Sequence, residues 1–170
     1  MTVALIIGRF QPFHLGHLRL IEEGAKEANH IIIGIGSSQC SGTENNPFSA
    51  EERKKMIEAS VPKKIKHSIH EITDIGNDKL WVSHVSKIVP NFKVVYTNGE
   101  LERRLFKEAG YRVHATGLYN RDKFAGTEVR RRIRAGQEWE SLVPEGTIKI
   151  MKEIKGEERI KSLASTQENK

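Results

Sequence analysis

Short apolar runs alternate with amphipathic stretches from the first residues onward. Val3 to Ile7, His30 to Ile35, Ser68 to Ile72, Lys93 to Thr97 and Tyr111 to Ala115 read as strands. Between them the spacing changes to three and four. Leu18, Ile21, Ala25 and Ala28 predict one amphipathic helix, and Ser49 with Glu52 forms the capping-box pattern of a second that runs to about Ser60, ahead of Pro62. Trp81, Val85 and Ile88 mark a third. Glu100 to Ala109, closed by Gly110, predicts a fourth with Leu101, Leu105 and Phe106 turned inward. After Thr127 the pattern stays helical, punctuated by Gly136, Pro144 and Gly156, and predicts short helices at one side of a sheet.

Strands separated by single helices predict an α/β fold: a Rossmann-like, doubly wound parallel sheet of five strands with helices on both faces and right-handed crossovers. Residues 1–164 are expected to form a single domain around one core. The polar stretch 165–170 is expected to be a disordered tail.

Composition narrows the class. Of 170 residues, 37% are hydrophobic and 29% charged, and no stretch is long enough to span a membrane. Met1-Thr2-Val3-Ala4-Leu5 leads into the first strand without the basic start or cleavage site of a signal peptide, so a cytoplasmic location is expected. Cys40 is the single cysteine, which excludes an internal disulfide and a cysteine zinc site. A formal charge of +6 favours anionic partners. The basic residues gather at Arg130-Arg131-Arg132 with Arg134, and at Lys63, Lys64 and Lys66. Only 6% of residues are aromatic, and no strand interleaves basic with aromatic positions, so small phosphates are expected ahead of nucleic acid.

Chemistry concentrates in Gly8-Arg9-Phe10-Gln11-Pro12-Phe13-His14-Leu15-Gly16-His17, between the first strand and the first helix. His14 and His17, three apart, share one face of a first turn where unpaired N–H groups and the positive end of the macrodipole suit an anion. Gly16 between them is expected to let a base or phosphate approach the backbone. In doubly wound sheets ligands bind beyond the carboxyl ends of the strands. Thr97-Asn98-Gly99 after the fourth strand fits a base edge there. A second anion pocket is expected at Phe124 to Arg130, where Gly126 and Thr127 start a helix, Thr127 caps or donates its hydroxyl, and Arg130 grips phosphate. Each feature has a plainer reading too: a histidine as helix cap, Arg130 to Arg134 as a solvated face, Trp81 as a core residue.

Gly8 to His17 and Gly126 to Arg130 together resemble the nucleotidyltransferase superfamily that shares His-x-Gly-His with class I aminoacyl-tRNA synthetases, and within it the archaeal type of nicotinamide mononucleotide adenylyltransferase. The likeness takes in Asn46-Pro47-Phe48, Asp74, Leu80-Trp81-Val82, and Glu153 to Gly156 with Glu158-Arg159; Ala125 stands where the family's second motif has serine. The resemblance implies that ATP and nicotinamide mononucleotide (NMN) are joined to give NAD and pyrophosphate. It implies Arg9, His14, His17 and Arg130 as catalytic residues, and Gly8, Phe10, Gly16, Asn98, Gly126 and Thr127 as further ATP contacts. Asp74 would hold the mononucleotide and Trp81 would stack on its ring. Magnesium would ride on the ATP phosphates with no protein ligand, and the triphosphate would favour charged histidines. A homo-oligomer, a hexamer by resemblance, would carry the activity. The alternatives are a sister enzyme using phosphopantetheine or flavin mononucleotide, a basic nucleic-acid-binding module, and a non-catalytic nucleotide sensor; the chain is too short for a synthetase's lysine signature and anticodon region.

Overall fold

The computed structural model describes residues 1–115 and 123–168, the last four as backbone only. Five parallel strands form one sheet: β1 (Val3–Gly8), β2 (His30–Ile35), β3 (His67–Glu71), β4 (Val94–Tyr96) and β5 (Arg112–His114), in the order β3-β2-β1-β4-β5. The winding reverses at β1, whose neighbours are β2 and β4. Helices α1 (Leu15–Glu27), α2 (Ala50–Ser60), α3 (Asp78–Ile88) and α4 (Glu100–Glu108) lie between successive strands in the chain. After the sheet come α5 (Gly126–Arg134), a 3₁₀ turn at Glu140–Leu142, α6 (Glu145–Glu153) and α7 (Gly156–Glu168).

Two compact units emerge, each assembled from separated stretches. One comprises residues 1–9, 19–38 and the chain from Pro62 through β5; the other comprises residues 10–18, 39–61 and α5 to α7. Because the stretches interleave, no linker or change of composition marks a boundary.

The first unit holds the whole sheet. Register pairs Leu5 with Ile32 and Val95, so these point to one face, where they meet Val85 of α3, its C-cap residue Val89, and Phe106 of α4. The alternate residues Ile6, Ile31 and Tyr96 point to the other face and meet α1. A Cβ on Gly24 would lie 3.3 Å from Ile31, 3.5 Å from Tyr96 and 3.6 Å from Ile6. Helices thus cover both faces, as the alternation predicts.

The buried stripe of α1 is Leu20, Ile21 and Gly24, whereas the spacing pointed to Leu18, Ile21, Ala25 and Ala28. Gly24 lets the helix approach the sheet closely, and that turns the stripe by about one position. On α4 only Phe106 is buried; Leu101 is 43% exposed, because the first turn of the helix overhangs a cavity beyond the strand ends instead of the core.

In the second unit α2 packs on α6 so tightly that a Cβ on Gly146 would strike the Ala59 carbonyl. The capping box at α2 forms: Ser49 Oγ accepts from the Glu52 N–H at 3.2 Å and Glu52 accepts from the Ser49 N–H at 2.9 Å. Glu52 also takes a hydrogen bond of 2.6 Å from Arg159 of α7, whose guanidinium lies 5.7 Å from the Phe48 ring. Gly156 was expected as helix punctuation. The left-handed residue between α6 and α7 is instead Lys155, at φ 54°, and Gly156 is needed for space, since a Cβ there would meet the Met151 sulfur at 2.6 Å. Beyond it, the backbone of 165–168 continues α7. Nothing in that stretch breaks a helix already under way. Residues 169 and 170 lie outside the described residues.

Candidate functional site

His14 occupies the N-cap of α1, with its carbonyl accepting from the His17 and Leu18 N–H groups at 3.1 Å. Its ring Nδ1 accepts from the Gly16 N–H at 3.1 Å, and the His17 Nδ1 accepts from the His14 N–H at 3.1 Å. This is a reciprocal capping box with histidine in both roles. The consequence is chemical: with each Nδ1 an acceptor, each ring proton sits on Nε2, and both imidazoles become Nε2–H donors. The rings stack at 3.5 Å between centroids. His17 is held further by Phe13, stacked at 5.6 Å, and by the edge contact of Phe10 at 4.7 Å.

Arg130, only 5% exposed, reaches this segment from α5 and donates from Nη1 to the Gln11 carbonyl at 2.6 Å. Gln11 is itself pinned by a two-way bond with Phe48: Nε2 donates to the Phe48 carbonyl at 2.8 Å, and the Phe48 N–H donates to Oε1 at 2.9 Å. Thr147 of α6 donates its hydroxyl to the Phe13 carbonyl at 2.9 Å. Residues 10–18 are therefore clamped from α5, α6 and the Phe48 segment. Gln11 and Phe48 stand in stretches quoted above but were given no role of their own, and Thr147 was not singled out, since their partners lie far away in the chain.

Burial, then the neighbouring Arg130 charge, lowers the His14 pKa to about 3. Burial and the stacked His14 push His17 well below the ordinary imidazole value. In the chain without a triphosphate, burial holds both rings in the neutral form, and their N–H donors come from a fixed tautomer; the charged form expected above is that of the rings beside a bound triphosphate.

Two glycines are likewise revised. A Cβ on Gly16 would lie 3.0 Å from the His14 ring and 3.0 Å from the Phe124 carbonyl, so that gap is filled by the chain and is not an approach path for a ligand. A Cβ on Gly126 would lie 3.0 Å from Arg130 Nη1 and 3.1 Å from the Gln11 carbonyl; its absence makes room for their hydrogen bond. Phe10, expected at the nucleotide, is 1% exposed and backs His17. Thr127 is exposed in the first turn of α5, while the cap position belongs to Ala125, which offers no side-chain bond. Within the Arg130 to Arg134 cluster, Arg131 and Arg132 both bond Glu128, at 2.8 and 2.9 Å, and Arg134 lies 3.7 Å from Glu44. Those hydrogen bonds, Arg131 first and then Arg132, hold the Glu128 carboxyl down to about 2.

In the first unit, Gly8, Arg9, Asp74 and Trp81 come together around a cavity of about 270 Å³ beyond the carboxyl ends of β1 to β3. The Trp81 ring packs edge-on against Phe106 at 5.5 Å, and Trp81 also lines the cavity. Asn77, whose side chain accepts from the Leu80 N–H, caps α3 at the cavity wall. Asn98 follows β4 in the same unit, inside a turn closed by a 3.1 Å bond from the Gly99 N–H to Thr97 Oγ1.

A doubly wound parallel sheet with a cavity at the strand ends, and a helix opened by paired imidazole donors, defines a nucleotide-binding α/β protein. A family model described as Cytidylyltransferase-like matches residues 5–132. A protein of Thermoplasma volcanium named nicotinamide-nucleotide adenylyltransferase is 44% identical over 168 residues, 98% of this chain and 94% of that one. One of the same name from Methanococcus aeolicus is 47% identical over 161 residues, 94% of each. Among solved structures, a bifunctional NMN adenylyltransferase/ADP ribose pyrophosphatase from Francisella tularensis superposes with a TM-score of 0.77 at 24% identity, over 99% of this chain and 53% of that longer one. The chain belongs to the cytidylyltransferase-like family and, within it, to the nicotinamide-nucleotide adenylyltransferases.

Proposed function

We infer that the chain joins ATP and nicotinamide mononucleotide to give NAD and pyrophosphate. The observation that carries this reading is the histidine capping box, which fixes two neutral N–H donors side by side, with the Arg130 guanidinium held next to them by the Gln11 carbonyl. Such a set recognises phosphate oxygens. Curated relatives with 44% and 47% identity over nearly the full chain support the choice of reaction.

The mononucleotide phosphate attacks the α-phosphorus of ATP; a new P–O bond forms, the bond to the β-phosphate breaks, and pyrophosphate leaves. The nucleophile is already an anion and needs no base, so alignment and charge stabilisation supply the catalysis. A ring whose pKa is about 3 is an N–H donor and not a proton carrier at neutral pH. His17 serves the α-phosphate, with His14 and Arg130 on neighbouring oxygens. Arg9, consecutive in the chain with Phe10, adds a further guanidinium at the mononucleotide cavity, where Asp74 and Trp81 hold the acceptor. The donors at His14 and His17 are N–H groups, suited to phosphate and not to a cation; a magnesium ion, carried on the triphosphate, would supply further charge neutralisation there without a ligand from these side chains.

A cytoplasmic homo-oligomer, a hexamer by the resemblance, completes the reading; exposed Leu80 and Ile88 on α3 give it apolar surface to cover, and light scattering measures its mass. Pyrophosphate release with ATP and a panel of acceptors tests the reaction. Turnover with NMN well above phosphopantetheine and flavin mononucleotide is expected, and turnover with either of those alone refutes it.

A further inference from the structure

The acceptor cavity is lopsided in charge. Among the described residues its lining carries one cation, Arg9, against three carboxylates, Asp74, Asp78 and Glu102. Asp78 lies three residues before Trp81 on α3 and Glu102 three before Leu105 on α4, so each carboxylate shares a helix face with an apolar residue of the same lining. Two helices thus each bring one negative charge to the apolar part of the cavity.

Resting on the acceptor assigned above, we propose that Asp78 and Glu102 act as an electrostatic filter. They favour an acceptor whose ring is a pyridinium with a neutral carboxamide, and they reject the analogue whose ring bears a carboxylate. The two acceptors have nearly the same shape and apolar area, so packing cannot tell them apart. They differ by one negative charge at the ring edge, which a carboxylate-lined, half-enclosed wall repels and which its low dielectric amplifies. The Glu102 carboxylate lies over Gly99, the N-cap of α4, where a Cβ would collide with it. The Gly99 N–H is taken by Thr97 Oγ1 and glutamine has nearly the shape of glutamate, so Glu102→Gln removes the charge and leaves the helix end intact. Asp78→Asn likewise leaves the Asn77 cap of α3 in place.

The test measures kcat/KM for NMN and for nicotinic acid mononucleotide in the parent chain, Asp78→Asn, Glu102→Gln and the double variant, at low and high salt. The parent is expected to prefer the amide by about tenfold or more, each variant to lower that ratio about fivefold, and salt to lower it in the parent. The gain should fall mainly on the acid form, which a merely structural loss would not improve. A ratio within about twofold of the parent's in the double variant, or a parent that prefers the acid, overturns the filter. If neither mononucleotide releases pyrophosphate, the proposed reaction itself fails and the filter falls with it.

Discussion

Gly16 and the two histidines show how much one residue can decide. Burial lowers the pKa of both rings, helped by Arg130 at His14 and by the stacked His14 at His17, and two backbone N–H donors fix their tautomer. Replacing His17 with alanine removes a donor and half of the capping box; kcat is expected to fall about 10²-fold or more, with acceptor KM moving less. Steady-state kinetics at saturating ATP would show it, and near-normal turnover would remove His17 from the chemistry. The low His14 pKa has a stability consequence whose sign is fixed. The folded ring stays neutral down to about pH 3, while the unfolded ring takes a proton below its ordinary 6.5. The unfolded chain therefore binds more protons in that window, and stability falls as the pH is lowered from 6.5, by up to about 1.4 kcal/mol per unit from this ring. The depressed carboxylate of Glu128 loses its contribution only below its ordinary 4.5, so denaturant titrations between pH 6.5 and about 5 report on the histidines. His14→Asn should flatten the slope; an equal slope in both proteins would contradict the burial assigned to His14. That His14 and His17 share the first turn of a helix was legible from their spacing and their place after a strand. The role of Gly16 was not, because what fills the space beside it, the Phe124 carbonyl, lies more than a hundred residues away in the chain.

Helix ends and helix crossings carry the next set of consequences. The N-cap of α5 is Ala125, with an extended φ of −135° and ψ of 146° that a serine adopts without strain. Ala125→Ser is expected to raise stability by about 1 kcal/mol through a new cap, read as a higher denaturation midpoint; an unchanged midpoint would mean that the first turn of α5 is already satisfied. At the α2–α6 crossing, Gly146→Ala would press a methyl onto the Ala59 carbonyl, and a loss of about 1–3 kcal/mol is expected from the forced separation of the helices. Equal stability there would show that the helices can part at no cost. Strand and helix types were readable because periods of two and of three to four differ within a few residues. Which residues of α1 and α4 face inward was not readable: Gly24 on α1 is invisible to a hydrophobic stripe, and Leu101 on α4 looks like core until the cavity beneath it is seen.

Across the whole molecule, a net charge of +6 invites a nucleic-acid reading that the ion pairs undercut. Glu128 and Glu44 answer Arg131, Arg132 and Arg134, and Arg130 is buried, so the densest basic run is no cationic stripe. Titration of labelled duplex DNA and single-stranded RNA at 50 mM to 200 mM salt should give weak binding without steep salt dependence, and a slope equivalent to six or more phosphates would reverse that view. The sequence by itself determined the doubly wound parallel sheet, the capping box of α2, and the helix starts at the histidine and arginine segments, since these depend on local periodicity and on residue types a few positions apart. Only the tertiary structure decided that Gln11 would lock onto Phe48, that both histidines would be neutral, and that Asp78 and Glu102 would share a cavity with Trp81. Those outcomes depend on burial and on partners distant in the chain, and neither is written in any short stretch of it.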